Sequence, residues 1–363
     1  MFVLTYSQAQ IQKQDTLTLM FVGDMMNHGP QIKAAYNTLE KTYQYTENFA
    51  WLDSVFDKAD LVMANLETTL GIKPFSGYPQ FSAPKEFVEA AKQSGINLLA
   101  TANNHSCDKR KKGILNTLNI LDSLQIRHFG TYRTQKEKDS LSPLIIEKKG
   151  FKLAFLNYTY GTNGLPVPYP TKVNKIDKKL IKKDLVRAKS FEPDAIIVVL
   201  HWGNQYQNKP TKAQQILAEW LHKNGVQIVI GSHPHVVQAN QMTIDTIEKK
   251  QNFTVYSLGN FISNQRKFPR DGSMIVKLQL IKKSSTKNPQ LIASTEPIWV
   301  YKYIKDLKRH YEILPVHKFQ FLPEYFEKNS DYQKMMRYLK HYEKIVEKKF
   351  YLFGDMKHIN QKQ

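Results

Sequence analysis

The sequence predicts an α/β protein in which two β-sheets pack face to face and helices cover their outer surfaces. Apolar, β-branched runs alternate with helical patterns through the first half of the chain, whereas hairpin signals dominate the second half. The chain has 363 residues, of which 41% are hydrophobic and 12% aromatic. It is therefore long enough to bury a large core, either as one domain with attachments or as two smaller units.

The first half of the chain predicts a regular alternation of strands and helices. Strands are predicted at 17–22, 61–64, 96–100 and, shorter, 126–129. Helices are predicted at 32–39, 49–56, 84–94 and 114–124. The clearest of these helices has Pro84 at its start and Gly95 after its end, which are strong start and stop signals.

The second half breaks this alternation. Strands meet at a Lys149-Gly150 hairpin within 144–157, and the Gly/Pro/Tyr-rich stretch 158–170 predicts a loop beside a site. Helices are predicted at 176–191 and 212–223, and buried strands at 195–200 and 226–230. Three more strands, at 253–258, 274–280 and 291–300, are expected to form an antiparallel set. The Lys- and Tyr-rich stretch 332–348 predicts a basic helix that packs on the main body.

Polar side chains follow five of the predicted strands, at the points where the strands end. They are Asp24, then Asn65 and Glu67, then Asn103, Asn104, His105 and Asp108, then His201, and finally His233 and His235. Two histidines that flank Pro234 at a strand end favour a metal site over a satisfied core histidine.

This mixture of carboxylate, amide and imidazole groups suits a divalent transition metal, or two that share a bridging carboxylate. Zinc, manganese or iron would fit, whereas calcium would require more carboxylates and structural zinc would require cysteines. The ligands are spread over some two hundred residues, so a catalytic site assembled by the fold is expected. Such a metal would acidify water and polarise a carbonyl or phosphoryl oxygen, which favours hydrolysis or acyl or phosphoryl transfer.

These motifs resemble the CapA family of poly-γ-glutamate capsule proteins, which is similar to calcineurin-like metallophosphoesterases. The resemblance extends over about residues 17 to 280 and rests on six motifs in order: Gly23-Asp24, Asn65-Leu66-Glu67, Asn103-Asn104-His105 with Asp108, His201-Trp202-Gly203, the run from Gly231 to Gln238, and the run from Tyr256 to Phe261. It implies a four-layer α/β/β/α sandwich.

The resemblance also implies roles for individual residues. Asp24 and His235 would bind one metal, Glu67 would bridge, and Asn104, His201 and His233 would bind the second. His105 would protonate a leaving group, with Asp108 as the second catalytic residue.

The chain departs from the family patterns at several positions. Met26 stands where the phosphoesterases have a histidine, although His28 could reach round, and Gln205 stands near a position usually held by a glutamate. Lys109 and Arg110 replace a glycine and are candidates to bind an anionic substrate; the alternative is two exposed charges at a helix start. Asn260 is a further candidate for substrate binding, or for supporting the metal loops with Ser257.

Composition limits the partners and the compartment. There are 52 Lys and Arg residues against 32 Asp and Glu, a formal charge of +20, which favours an anionic polymer or envelope-associated partners. Nucleic acid is disfavoured because no nucleic-acid-binding motif is present.

Cys107 is the one cysteine, so no internal disulfide can form, and no apolar run is long enough for a transmembrane helix. The first ten residues resemble the end of a signal peptide, which implies an extracytoplasmic protein, or are an ordinary frayed terminus, which leaves it cytoplasmic.

We therefore predict a CapA-like domain at 16–300, preceded by a leader remnant or disordered segment at 1–15 and followed by a basic extension at 301–363. The predicted function is a metal-dependent enzyme that hydrolyses or transfers an amide bond of poly-γ-glutamate or a related acidic polymer. Two alternatives stay open: a metallophosphoesterase, and a non-catalytic factor that binds or exports the polymer.

Overall fold

Two β-sheets form the centre of the protein in a computed structural model that describes residues 15–245, 250–282 and 288–346. In chain order the strands are β1 (Asp15–Met25), β2 (Tyr36–Asn37), β3 (Thr42–Tyr43), β4 (Leu61–Leu66), β5 (Thr69–Leu70), β6 (Ser82–Ala83), β7 (Leu98–Ala100), β8 (Arg127–Phe129), β9 (Thr131–Tyr132), β10 (Leu144–Lys148), β11 (Phe151–Thr159), β12 (Lys172–Val173), β13 (Ala195–His201), β14 (Ile228–Ser232), β15 (Asn240–Asp245), β16 (Lys250–Val255), β17 (Gly272–Lys282), β18 (Gln290–Lys305) and β19 (Lys308–Pro315). The helices are α1 (Gly29–Ala35), α2 (Thr46–Phe49), α3 (Asp53–Phe56), α4 (Glu86–Gln93), α5 (Arg110–Ser123), α6 (Gln135–Leu141), α7 (Lys178–Lys189), α8 (Lys212–Lys223), α9 (Val316–Phe319) and α10 (Asn329–Ile345).

The order of strands brings the ends of the parallel strands together. Within the described residues, the larger sheet has the order β19-β18-β17-β1-β4-β7-β8, in which β1, β4, β7 and β8 are parallel. The smaller sheet has the order β10-β11-β13-β14-β16-β15, in which β11, β13, β14 and β16 are parallel. The carboxyl ends of parallel strands share one edge of a sheet, where ligands of α/β proteins usually bind.

The core has the four layers that the sequence predicts. Leu19 and Phe21 of β1 face β11 and β13 of the other sheet, whereas Met20 and Val22 face the helices α2 and α4. The outer surface of the smaller sheet packs in the same way against α7 and α8. The α/β/β/α sandwich is therefore confirmed.

Several local predictions hold, whereas the helix predicted at 32–39 ends at Ala35, the one predicted at 49–56 is divided into α2 and α3, and one strand pairing is wrong. Helix α8 has the predicted bounds, and β10 and β11 form the hairpin predicted at Lys149-Gly150. The stretch 253–258 does not join 274–280 and 291–300 in one antiparallel set, because β16 lies in the smaller sheet, parallel to β14. Apolar periodicity predicts a strand but does not specify the sheet in which it pairs.

The predicted boundary between residues 300 and 301 falls inside β18. The antiparallel partner of β18 is β19, so residues 301–315 complete the larger sheet. Helices α9 and α10 then pack against β18, with Met335, Tyr338 and Tyr342 of α10 buried in the core between the sheets. The basic helix therefore lies against the larger sheet. No helix in the described ranges is long and apolar enough to cross a membrane. The N-terminal predictions concern residues that lie outside the described ones, apart from Asp15, which begins β1.

Candidate metal centre

Six side chains predicted as metal ligands converge where the parallel strands of the two sheets end. Each of them is buried, with at most 4% of its surface exposed. Asp24 lies in β1, His201 ends β13, and the other four follow strand ends: Glu67 after β4, Asn104 after β7, and His233 and His235 after β14.

The bulge at Gly23 places Asp24 in the cluster. The pairing of β1 with β4 shifts register between Val22 and Asp24, and a β-bulge of this kind re-aims a side chain. A Cβ atom at Gly23 would lie 1.9 Å from the carbonyl oxygen of Gly259, so only glycine fits. The Asp24 amide donates to that same oxygen over 2.9 Å, which joins the first and last of the predicted motifs.

The turn that carries His233 and His235 is strained. Their φ angles are +96° and +58°, in a region that residues other than glycine seldom adopt. Gly231, just before the turn, is also required, because a Cβ atom there would lie 2.0 Å from the carbonyl oxygen of Tyr256. Strain of this kind persists where the surrounding structure enforces it, most often at functional sites.

One group of potential ligands consists of Asp24, Glu67 and His235, with one ligand atom from each within 4.8 Å of the others. His235 Nδ1 lies 3.0 Å from Asp24 Oδ2, and His235 Nε2 lies 3.7 Å from Glu67 Oε1. Two carboxylates and an imidazole form a donor set that a divalent transition metal prefers.

The second group consists of Glu67, His201 and His233. His201 Nε2 lies 3.1 Å from His233 Nδ1 and 3.7 Å from Glu67 Oε1. Asn104 Oδ1 is 2.9 Å from the same His201 nitrogen and adds an amide oxygen. The structure thus brings together the residues that the sequence assigned to each of two metals.

Glu67 belongs to both groups and has the most unusual surroundings. It is fully buried, and neither carboxylate oxygen has a hydrogen-bond donor among the described residues. Burial, followed by the neighbouring Asp24 charge, raises the pKa of Glu67 well above its usual range. A buried carboxylate with no donor is costly unless a cation compensates it, so the residues present fit a metal in the bridging position.

The histidines also fit a metal. Burial, then the adjacent His233 and His235, lower the pKa of His201 well below its usual range. Burial and His235 lower the pKa of His233 to about 3. Both imidazoles are therefore neutral at physiological pH, and neutral imidazole is the form that binds metal.

Two residues to which the sequence assigned no role position these ligands. Asn65 Nδ2 donates to Asp24 Oδ1 over 2.8 Å, and Ser232 Oγ lies 3.0 Å from His201 Nδ1. These contacts fix the carboxylate and leave His201 Nε2 facing the cluster, the usual task of residues behind a metal ligand. The signals for Asn65 in the sequence were its position after a predicted strand and the motif Asn65-Leu66-Glu67.

The two predicted catalytic residues form a buried pair beside this centre. His105 Nδ1 lies 2.7 Å from Asp108 Oδ2, which also accepts the Phe81 amide over 2.6 Å. Both side chains contribute to the wall of a cavity of about 760 Å³. The contact with Asp108 therefore fixes the orientation of the His105 ring.

The cavity wall contains cations other than the predicted substrate contacts. Lys109 and Arg110 stand at the start of α5, with Arg110 exposed, and neither lines the cavity. Asn260 is fully buried and donates to the carbonyl oxygen of Arg270 over 2.9 Å, the loop-supporting contact that was the alternative to substrate binding. The cations that do line the cavity are Arg266, Lys267 and Arg270. These cations follow the Tyr256–Phe261 motif closely in the chain, and this position is the feature of the sequence from which they could have been predicted.

Two other positions that depart from the family patterns, Met26 and Gln205, do line this cavity. Gln205 Nε2 is 3.4 Å from His235 Nε2, and Met26 lines the wall. Burial above all lowers the pKa of His28 to about 4. His28 faces the cavity but belongs to neither ligand group found among the described residues.

The two packed sheets and the buried donor cluster define an α/β protein with a candidate metal centre at the strand ends. Among solved structures, the NAD nucleotidase of Haemophilus influenzae matches with a TM-score of 0.52 at 11% identity, over 92% of this chain and 64% of that one. At this identity the likeness concerns the fold.

The chain belongs to the bacterial capsule synthesis protein family PGA_cap, whose model matches residues 18–265. The capsule biosynthesis protein CapA of Bacillus anthracis is 28% identical over 266 residues, which cover 70% of this chain and 61% of that protein. The PGA biosynthesis protein CapA of Bacillus subtilis is 28% identical over 273 residues, 72% of this chain and 66% of that protein. The matched region thus spans less than two thirds of either relative.

Proposed function

We propose that this protein is a metal-dependent enzyme that hydrolyses or transfers an amide bond in poly-γ-glutamate or a closely related acidic polymer. The observation that carries the proposal is the position of Glu67, shared by two donor groups and without a hydrogen-bond donor of its own among the described residues. The names of the CapA relatives direct the choice of polymer.

The six ligand residues would hold one or two divalent ions, with manganese, zinc and iron the best fits to mixed carboxylate and imidazole donors. Asp24, Glu67 and His235 would form one position, and Glu67, Asn104, His201 and His233 the other. A bound ion would supply a polarised carbonyl oxygen and an acidified water.

The residues of the chain itself would handle the proton and the substrate. In hydrolysis, water adds to the amide carbonyl carbon, the C–N bond breaks, and the leaving nitrogen takes a proton. His105 is placed to donate that proton from Nε2, because Asp108 occupies Nδ1. In transfer, an amine takes the place of water and the same proton donation applies.

Charge supports an acidic substrate. The formal charge of +20 would concentrate a polyanion near the protein, and cations line the cavity. Arg266, Lys267 and Arg270 outnumber the one carboxylate of the cavity wall, Asp108, which His105 already engages.

The test combines metal analysis with product assays on the purified protein. Poly-γ-glutamate and bis(p-nitrophenyl) phosphate are incubated separately with it, and new amino groups, polymer length and nitrophenol release are measured. We expect new amino groups, or a change in polymer length, in proportion to the metal content. Glu67→Gln should abolish this activity, whereas the matched control His128→Gln, in strand β8, should retain it.

The other outcomes separate the alternatives. Nitrophenol release that requires Glu67, with no change in the polymer, would replace the proposal with a phosphoesterase. Polymer binding without either product would make the protein a binding or export factor.

A further inference from the structure

A cationic loop shares the cavity with the candidate metal centre, and we propose that its Arg270 is the residue that recognises the free carboxylate of a γ-linked glutamyl substrate. This inference rests on the proposed function and names the chemical group by which the site selects its substrate. It concerns a residue outside the six predicted ligands and the His105–Asp108 pair.

The side chain of Arg270 is held in a defined position. Its guanidinium carbon lies 3.2 Å from the centre of the Tyr206 ring, a stacked cation–π contact. The centre of the Tyr206 ring is in turn 6.0 Å from that of His235. The Tyr206 amide donates to the carbonyl oxygen of Pro234 over 2.8 Å, so its backbone is joined to the strained histidine turn.

The backbone of Arg270 is tied to the same turn by a second route. Asn260 Nδ2 donates to the Arg270 carbonyl oxygen over 2.9 Å and lies 3.4 Å from the carbonyl oxygen of His235. Two independent contacts therefore fix Arg270 relative to a proposed metal ligand. Sites held in this way select substrates by geometry as well as by charge.

Arg270 also lacks the acidic partner that a partly enclosed arginine usually has. Among the described residues no carboxylate oxygen lies within 4.0 Å of its guanidinium nitrogens, whereas Arg266 is paired with Asp271 at 3.9 Å. Asp108, on the cavity wall, is engaged by His105 and by the Phe81 amide. A guanidinium that is stacked on one face keeps its N–H edge for an incoming carboxylate, which it can bind through two hydrogen bonds.

The chemistry of the linkage makes this contact selective. In γ-linked glutamate the free carboxylate is borne by the carbon next to the amide nitrogen. In α-linked glutamate the free carboxylate sits at the end of the side chain, two methylene groups further away. An arginine fixed beside the metal centre can hold the first carboxylate while the neighbouring amide lies at the centre, but the second is displaced.

The experiment compares γ-linked and α-linked triglutamate, which carry the same charge, by calorimetric titration of the purified full chain. We expect the wild type to prefer the γ-linked peptide. Arg270→Gln should weaken binding of that peptide by about 10- to 100-fold, the range for losing a charge-assisted hydrogen bond, and should remove the preference. Arg127→Gln, which removes an exposed arginine in β8, should change neither value by more than about twofold.

Two further variants keep the inference testable if Arg270→Gln does not fold. Arg270→Lys keeps the charge without the planar fork and should lose most of the preference. Tyr206→Leu removes the stack and should reduce the preference while Arg270 remains. Equal wild-type affinity for the two peptides, no binding of either, or an unchanged preference in the Arg270 variants would overturn the inference. Displacement of the γ-linked peptide by inorganic phosphate at lower concentration, with phosphate binding lost in Arg270→Gln, would also overturn it.

Failure of this inference can be told apart from failure of the proposed function. Arg270-dependent preference without any change in amide bonds would refute the enzyme and leave the carboxylate site in place. Turnover of poly-γ-glutamate with no role for Arg270 in selecting the linkage would support the proposed enzyme and refute the carboxylate site.

Discussion

Two buried glutamates, Glu67 in the metal centre and Glu312 in β19, have opposite surroundings. Trp51 Nε1 donates to Glu312 Oε2 over 2.9 Å, and the hydroxyls of Tyr303 and Tyr325 donate to the same carboxylate. Glu67 is buried at least as deeply and has no donor among the described residues.

The difference separates a structural carboxylate from one placed for a cation. Three donors offset the cost of burying the Glu312 charge and lock β19 to β18 and to the loop that carries Trp51. Burial, and then the bond to Glu312, raise the pKa of Tyr303 and of Tyr325, so both hydroxyls remain donors. Around Glu67 there are imidazole nitrogens and another carboxylate, which offer it no hydrogen bond among the described residues. Burying Glu67 therefore costs free energy that a bound cation would offset.

The largest expected effect is that of Glu67→Gln on activity. Loss of the shared carboxylate should empty or weaken both metal positions and reduce turnover by roughly 10³-fold or more, since a metal contributes several kcal/mol to the transition state. The free energy of unfolding of the metal-free protein should be unchanged or higher, because the cost of burying an ionisable carboxyl group is removed. Metal analysis, turnover and urea unfolding measure the three quantities. Full metal content in the variant would refute the bridging role.

A third buried carboxylate, Asp108, accepts from the Phe81 amide and contacts His105, the proposed proton donor. We expect His105→Ala to leave metal content near normal and to reduce turnover by roughly 10²- to 10⁴-fold, the usual contribution of acid–base catalysis. His233→Ala is the contrasting variant, since it should lose both metal and activity and recover part of each at high metal concentration. Loss of metal in His105→Ala would show that His105 belongs to the ligand set.

Glu312→Leu tests the opposite side of the comparison. It leaves the hydroxyls of Tyr303 and Tyr325 without this acceptor and removes one of the two acceptors of Trp51 Nε1, so the free energy of unfolding should fall by about 2–4 kcal/mol. Glu312→Gln, which keeps one acceptor oxygen, should cost less. Metal content should be unchanged in both folded variants. A loss of metal equal to that in Glu67→Gln would mean that the two regions are not independent.

The smallest expected effect concerns His28, which lies in the cavity wall without belonging to either ligand group. Its pKa is lowered from 6.5 to about 4, chiefly by burial, so the unfolded chain binds more protons between these pH values. The free energy of unfolding should therefore fall as the pH is lowered from about 6.5 to 4. His28→Gln should remove about 2 kcal/mol or less of this loss, because His28 keeps some contact with solvent. Urea unfolding of the metal-free wild type and variant at several pH values measures this difference. Identical dependence of the free energy of unfolding on pH in the two proteins would contradict the prediction.

The sequence alone predicted the layers of the fold and the side chains that converge at the candidate metal centre. Period-two and helical patterns are local consequences of backbone geometry, so they predicted β1, α8 and the hairpin of β10 with β11. The position of a polar residue directly after a buried parallel strand is nearly fixed, because parallel strands end at a common edge of the sheet. That is why Asp24, Glu67 and His233 could be placed from the sequence.

Only the tertiary structure decided which residues surround the ligands. Lys109 and Arg110 follow His105 closely in the chain but do not line the cavity. Arg270 does line the cavity, and it contacts the ring of Tyr206, which lies sixty-four residues earlier in the chain. The same holds for the assignment of β16 to the smaller sheet and for the donors that distinguish Glu312 from Glu67. Contacts between distant loops depend on how the sheets and helices pack, and the local pattern of residues does not specify that packing.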